Sequence, residues 1–564
     1  MTIKDDIMFD KLLIPPKKIR VKKGIFKLTD SAVLKFYQDN SIANHEGYKI
    51  EILPNGIEIY SSTEAGNFYA IQTLKELSTV YNNKLPCCVI DDAPDFARRG
   101  VYLDCSRGKV PKISTIKQLI ERLAKLKINE FQLYIENVFT FKKHPEIGKG
   151  YNPFTPEEIL EIQEYCKKYH IRLVGSLASF GHFERILSIP KYQHLGELPG
   201  FRGYPGGTTL CPTDPDSIKL VKDMYSEFVP LFEAEDFNVC CDETWELGEG
   251  RSKSLAERIG KGEIYLQFLL KIYELCQKHG KRMNVWADIV LKHPELLKKL
   301  PRDIVMLNWE YEQEGKNIFR TREIAKSGLP SMVCPGTSSW LTHGSRLPNS
   351  MGNVTNFAKE GRKYGAEGFL NTDWGDNGHR NLLGVSLHSF AHGAAQSWNG
   401  KAADNDKFTN NFCLHFFGQK DNKLSSVIKR LGNNYITCGT IIRNASLLYH
   451  GLVENKEKIE SFGPINEKGL KKIIEQYPYG ENIRLPKEAG DFEKVALEEM
   501  QLAARMDFLA AKRILAISNS KTSELRKLSK SFAQMAEDFK RLWLVRNRQS
   551  RLKDNLKLFK KALM

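Results

Sequence analysis

The stretch GVYLDCSRGKVPKISTIKQLIERLAKLKINEFQLYIE, residues 100–136, carries the reading of the fold. GVYLDCS (100–106) is a short apolar run. STIKQLIERLAKLK (114–127) has apolar residues at helical spacing, and EFQLYIE (130–136) is a second short apolar run. Together they read as strand, helix and parallel strand. The pattern recurs in IRLVGSLA from Ile171, FNVCCDE from Phe237, KRMNVWAD from Lys281, IVMLNWE from Ile304, SMVCPGT from Ser331 and EGFLNTDW from Glu367. Helical segments such as TPEEILEIQEYCKKY (155–169) lie between most of them. Eight such runs, at spacings of roughly 25–65 residues, match a (β/α)8 TIM barrel with some long loops. A doubly wound open sheet is the alternative, but it needs a phosphate-binding glycine turn near its first strand and none is present.

Upstream, YKIEILPNGIEIYSS (48–62) alternates as a hairpin expected to turn at Asn55-Gly56. AGNFYAIQTLKELSTVY (65–81) places Phe68, Ile71, Leu74 and Leu77 on one helical face. Downstream of about residue 401 the chain reads as long amphipathic helices, with no strand-like alternation. The expected organisation is therefore α/β: a small N-terminal α+β domain (1–95), a (β/α)8 barrel (96–400) and a C-terminal helical region (401–564). At roughly 100–200 residues per domain, 564 residues fit such a division.

Composition narrows the class. Hydrophobic residues make up 41% and charged residues 27%, which excludes a mainly disordered chain. No apolar run approaches the roughly 20 residues that cross a bilayer. The start, MTIKDDIMFDKLLIPPKK, lacks the pattern of a secretory leader, so a cytoplasmic location is expected. The eleven cysteines include the adjacent pairs Cys87-Cys88 and Cys240-Cys241 but no CxxC spacing. They suggest buried thiols in a reducing compartment rather than a zinc site or disulfide framework. Of the net charge of +16, most lies in residues 501–564, where 16 Lys and Arg face 5 Asp and Glu. These basic residues are spaced through helical sequence, which reads as a solvated face, and no nucleic-acid recognition motif accompanies them.

A barrel's active site lies at the C-terminal ends of its strands. The fourth run ends in Asp242-Glu243, two adjacent carboxylates that must both be solvated or paired. Trp245 follows them, and Trp286, Trp309, Trp340 and Trp374 stand at or just after the ends of the fifth to eighth runs. Five of seven tryptophans thus fall on one rim. Indole faces stack on the C–H faces of sugar rings, so the set points to a carbohydrate pocket. Arg107, Glu136, Asn137, His182, Asp288, Asp373 and Asp376 fall on the same rim, where arginine forks and carboxylates can hold hydroxyls.

These residues carry a resemblance. NGIEIYSSTEAGNFYAIQTLKEL (55–77), FARRGVYLDCSRGKVP (96–111), SFGHFERIL (179–187) and FNVCCDETW (237–245) resemble, in this order, segments of glycoside hydrolase family 20, the β-N-acetylhexosaminidases. The resemblance covers about residues 1–400. It implies substrate-assisted retaining hydrolysis, an exception to the two-carboxylate scheme. Glu243 is then the acid and base, and Asp242 holds the substrate's acetamido N–H and steadies the oxazolinium. The resemblance gives Arg107 the hydroxyls of the terminal sugar and makes Trp286, Trp309 and Trp374 pocket walls; with the rim residues Glu136, His182, Tyr311, Trp340 and Asp376 these form the expected substrate-binding set. It implies neither metal nor organic cofactor. The expected partner is a glycan ending in β-linked GlcNAc or GalNAc, with no nucleic acid or membrane, acting on a monomer or homodimer.

The sequence departs from the family in three places. Asn238-Val239-Cys240-Cys241 replaces small glycines and a histidine before the acidic pair. The seventh-strand stretch PGTSSWLTHG (335–344) lacks the tyrosine that donates to the acetamido oxygen, leaving Trp340 or Tyr311 for that task. Asp376 stands where a glutamate usually binds the outer hydroxyls, which leaves the GlcNAc or GalNAc preference open. Rival readings are a glycosidase of the same barrel with another sugar or endo specificity, and a sugar-binding protein without catalysis.

Overall fold

The computed structural model describes residues 9–401, 403–478 and 482–562. The first eight residues, part of the stretch read above for a leader, lie outside them. An N-terminal five-stranded sheet precedes the barrel: β1 (Lys18–Lys27), β2 (Leu34–Gln38), β3 (Tyr48–Leu53), β4 (Gly56–Ser61) and β5 (Lys84–Asp92), in the order β1-β5-β3-β4-β2. The β3–β4 hairpin pairs Ile50 with Ile59 and Ile52 with Ile57, and its buried face continues to the pair Tyr48 and Ser61. Leu53 pairs with Gly56, so the two-residue turn is Pro54-Asn55, one residue earlier than expected. Pairing all four isoleucines across the strands sets that register, and Pro54 supplies a fixed φ for the turn. The helix Glu64–Tyr81 follows, with the Thr63 side chain accepting from Gly66 N.

Eight parallel strands then close into a barrel: β6 (Arg98–Asp104), β7 (Glu130–Ile135), β8 (Arg172–Leu177), β9 (Asp236–Asn238), β10 (Arg282–Trp286), β11 (Val305–Trp309), β12 (Ser331–Cys334) and β13 (Gly368–Asp373). All eight runs become strands, and β13 pairs with β6 to complete the ring. The intervening helices carry their own start signals. Thr155 and Glu158 form a reciprocal capping box at the helix Pro156–Lys167. At the barrel's lower end, buried Arg98 bridges Glu130 at 2.8 Å and Asp236 at 3.1 Å. The site therefore stands on a closed, internally paired cylinder.

The C-terminal region is built around the helix Asp491–Ser518, whose buried alanines (Ala496, Ala503, Ala504, Ala510, Ala511) permit close approach. Its Glu499 accepts from Gly384 N at 2.8 Å, at the start of the last barrel helix, and from Arg546 Nε at 2.9 Å. The region is not wholly helical as expected: Ile441–Ile442 (β14) and Ala445–Ser446 (β15) form a small antiparallel hairpin. Two-residue strands carry too little alternation to be visible in the sequence. Among the described residues, no helix is long and apolar enough to cross a membrane.

Candidate active site

The fourth strand is only three residues long, because the chain leaves the sheet before the acidic pair. Cys240, Cys241 and Glu243 adopt φ of +60°, +63° and +48°, a left-handed winding that costs non-glycine residues energy. Glycines would enter this conformation freely, which gives the Cys240-Cys241 departure a physical meaning. The winding is held from several sides. Cys240 N donates to Asn238 Oδ1 at 3.0 Å, Trp286 N to Cys240 O at 3.1 Å, and Tyr265 OH to Cys241 O at 2.9 Å. Gly181 on the third loop passes so close that a methyl group there would stand 2.2 Å from Asp242 O.

This winding delivers both carboxylates to one imidazole. His182 Nε2 lies 3.2 Å from Asp242 Oδ2 and 3.5 Å from Glu243 Oε2. Burial opposes a charge on His182, but the Asp242 carboxylate outweighs it and raises the imidazole to about 10. Burial also raises the Glu243 carboxyl above the ordinary carboxylate range; Asp242 adds to this and His182 opposes it. Asp288 sits behind the pair, its Oδ2 accepting from Glu243 N at 3.2 Å. Asp242 Oδ1 is buried and has no hydrogen-bond partner. An unpaired buried carboxylate oxygen is costly, so it is poised for a donor arriving in the pocket.

Opposite the pair, Arg107 is fixed by Asp104 at 3.2 Å and Glu136 at 3.3 Å. Its guanidinium lies over the rings of Tyr134, at 4.5 Å, and Trp374, at 5.1 Å. Trp286, Trp309, Tyr311, Trp340 and Trp374 wall the space between. Trp309 stacks on Tyr311, Trp340 meets the same ring edge-on, and Trp374 Nε1 donates to Tyr311 OH at 2.8 Å. Asp376 completes the rim; burial raises its carboxyl and Arg107 opposes the rise.

The structure thus brings together Asp242, Glu243, Arg107, His182, Trp286, Trp309, Tyr311, Trp340, Trp374 and Asp376 around one pocket. Glu136 stands apart from the lining. It is buried behind Arg107 and accepts from Tyr134 OH at 2.9 Å, so it holds the arginine rather than facing the pocket. Asn137 is buried away from the pocket, and Asp373 lies beneath it, accepting from Thr337 and Ser386. Trp245 is also outside the lining: its ring stands edge-on to His182 and lies under the Arg202 guanidinium at 3.8 Å. Asn444, in the β14–β15 hairpin, lines the pocket and had no signal in the sequence. Nothing near it suggests a site, and only folding brings it back across the barrel mouth.

His182, Asp242 and Glu243 bring one donor atom each within 4.8 Å of one another. A metal needs its ligands deprotonated, and a raised Glu243 beside a cationic His182 suits proton transfer better.

The model of glycosyl hydrolase family 20, catalytic domain, matches residues 96–412, and that of the same family's domain 2 matches residues 11–93. The chain belongs to glycosyl hydrolase family 20. Among curated relatives, a β-hexosaminidase of Porphyromonas gingivalis is 25% identical over 283 residues, covering 43% of this chain and 36% of that protein. Hexosaminidase D of Homo sapiens is 23% identical over 250 residues, covering 42% of this chain and 50% of that protein. The chain thus spans about a third to a half of the length of these two relatives. Among solved structures, a chitobiase from Flavobacterium johnsoniae superposes with a TM-score of 0.59 over 96% of this chain and all of its own, at 17% identity. That likeness shows the shared fold.

Proposed function

We propose that the protein is an exo-acting β-N-acetylhexosaminidase that releases terminal β-linked GlcNAc or GalNAc from oligosaccharides or glycoconjugates with retention of configuration. The observation that carries the reading is the division of labour between adjacent carboxylates. Asp242 Oδ1 is buried and unpartnered beside a Glu243 whose carboxyl is pushed up, and both meet one cationic His182.

In the first step the substrate's acetamido oxygen attacks the anomeric carbon, and the bond to the leaving oxygen breaks as Glu243 gives up its proton. Asp242 accepts the acetamido N–H and opposes the positive charge that builds on the oxazolinium. In the second step a water attacks the anomeric carbon, Glu243 takes its proton, and the acetamide re-forms. Arg107 forks toward the hydroxyls of the terminal sugar, and the indoles cover its apolar faces. Exo action is the reading taken for a rim in which Trp374 and Asp376 stand side by side and Tyr449 OH donates to Asp376 O at 3.3 Å. The β-hexosaminidase and hexosaminidase D relatives support the same reading. Eleven unpaired, buried cysteines support a cytoplasmic placement, with imported oligosaccharides as substrates.

The test is release of p-nitrophenol from the β-GlcNAc and β-GalNAc aryl glycosides by wild type and Glu243→Gln. The expected result is turnover that falls about 10²–10⁴-fold in the variant. A folded wild type that is silent on both substrates overturns the reading in favour of another sugar, or of binding alone.

A further inference from the structure

The pocket is not made by the barrel alone. Asn444 is, among the described residues, the lining group that comes from beyond the barrel, carried across the mouth on the β14–β15 hairpin. Its position is clamped to the two loops that carry Tyr311 and Trp340. Asn444 N donates to Glu312 Oε1 at 2.7 Å, and Glu312 is itself held by Arg346 at 2.9 Å. The neighbouring Arg443 reaches Glu310 at 3.1 Å, and Ser446 N donates to Leu341 O at 2.9 Å. Arg443 is largely exposed, so its ion pair contributes little. The backbone bonds of Asn444 and Ser446 fix the hairpin.

Within this clamped frame the side chain is left unspent. Asn444 Oδ1 is buried and has no hydrogen-bond partner. A buried amide oxygen left in that state is unfavourable until a donor reaches it. An amide both donates and accepts, as do sugar hydroxyls and the acetamido group. We propose that Asn444 is a substrate-contacting residue: its amide hydrogen-bonds the terminal 2-acetamido sugar, and the C-terminal region thereby completes the sugar site. The inference rests on the hexosaminidase reading and deepens it.

A competing explanation is purely conformational. Asn444 has φ of +57°, the left-handed region that favours asparagine and glycine. The two explanations part at glycine, which keeps the turn and removes the amide. Wild type, Asn444→Gly, Asn444→Ala and Asn444→Asp are to be compared in two assays. One is binding of N-acetylglucosamine and N-acetylgalactosamine, followed by the fluorescence of the pocket tryptophans. The other is kcat/KM on the aryl glycosides, with melting temperature recorded for each variant.

The expected result is a loss of about 10–100-fold in sugar affinity and kcat/KM for both Gly and Ala, the scale of one buried hydrogen bond. Gly is expected to keep the wild-type melting temperature, and Asp to lose less than Gly because it keeps an acceptor. A Gly variant equal to wild type overturns the proposal and leaves Asn444 a turn residue, whatever Ala does. A folded wild type that neither binds nor hydrolyses either sugar overturns the hexosaminidase reading, and this proposal with it. Active wild type with unaffected Gly overturns this proposal alone.

Discussion

Trp374 donates its indole N–H to the hydroxyl of Tyr311 at 2.8 Å, joining the loop after β13 to the loop after β11 across the pocket. The hydroxyl accepts from the indole and also meets the Thr372 side chain, whose own hydroxyl donates to Pro335 O, so a substrate oxygen would compete with Thr372 for the tyrosine proton. Tyr311 is still a candidate, with Trp340, for the donor that the seventh strand lacks. Tyr311→Phe is expected to lower kcat about 10²-fold, the scale of one oriented donor at a developing charge. Aryl-glycoside turnover within a few fold of wild type would remove the hydroxyl from the chemistry.

His182 is one of the charges that act on the protonation of Glu243, the proposed acid. Its positive charge opposes the rise that burial and Asp242 impose on Glu243. Glu243 must carry its proton to release the leaving group, so kcat/KM declines as pH rises through its raised pKa. In His182→Asn the opposing charge is gone and Glu243 holds its proton to higher pH. The descending limb of the pH profile is expected to move upward, with a lower plateau because Asp242 loses its partner. A limb that stays in place would separate His182 from the acid.

Asp242→Asn tests the other half of the pair. The amide keeps the shape but not the negative charge, and an amide N–H can face the acetamido N–H. Turnover is expected to fall about 10²–10³-fold on 2-acetamido substrates, measured alongside Glu243→Gln. A variant as active as wild type would refute the role given to Asp242.

Gly181 is required for space rather than for its own conformation. A methyl group there would meet the backbone oxygen of Asp242 at 2.2 Å, so backbone rather than a side-chain end has to shift. Gly181→Ala is expected to displace the winding of Cys240 to Glu243, reducing activity at least 10²-fold and lowering the melting temperature. Full activity in this variant would mean that the acidic pair tolerates displacement.

Arg98 tests the frame without touching the pocket. Burial works against the charge of Glu130, but Arg98 and Arg172 outweigh it and hold the carboxyl at about 2. A carboxylate depressed in the fold contributes stability above its unfolded pKa and loses it as pH falls through the folded value. Arg98→Met leaves buried Glu130 and Asp236 short of a partner. It is expected to cost about 3 kcal/mol in denaturant unfolding and to move acid unfolding to higher pH. An unchanged acid midpoint would show that Arg172 and Arg282 suffice.

Much of this protein was legible in its residues. The barrel was visible because each strand is buried on both faces, so Val101, Leu133, Val174, Val285 and Val333 sit in short apolar runs that alternate with helical periodicity. The pocket was visible because strand ends are its rim, and Arg107, His182, Asp242, Glu243 and four tryptophans all follow strand ends closely. What depended on side-chain direction was not. Glu136 and Trp374 both stand at or just after strand ends, yet one turns behind Arg107 and the other faces the pocket. Asn444 lies about 70 residues beyond Trp374, in a segment with no periodicity of its own. Sequence order determined the barrel and which loops meet at its mouth, because local periodicity and chain connectivity are encoded residue by residue. Only the tertiary structure decided which carboxylate is spent on a neighbour and which keeps an unpartnered oxygen, and that a distant hairpin joins the pocket lining. Those outcomes depend on packing between segments that share no local pattern.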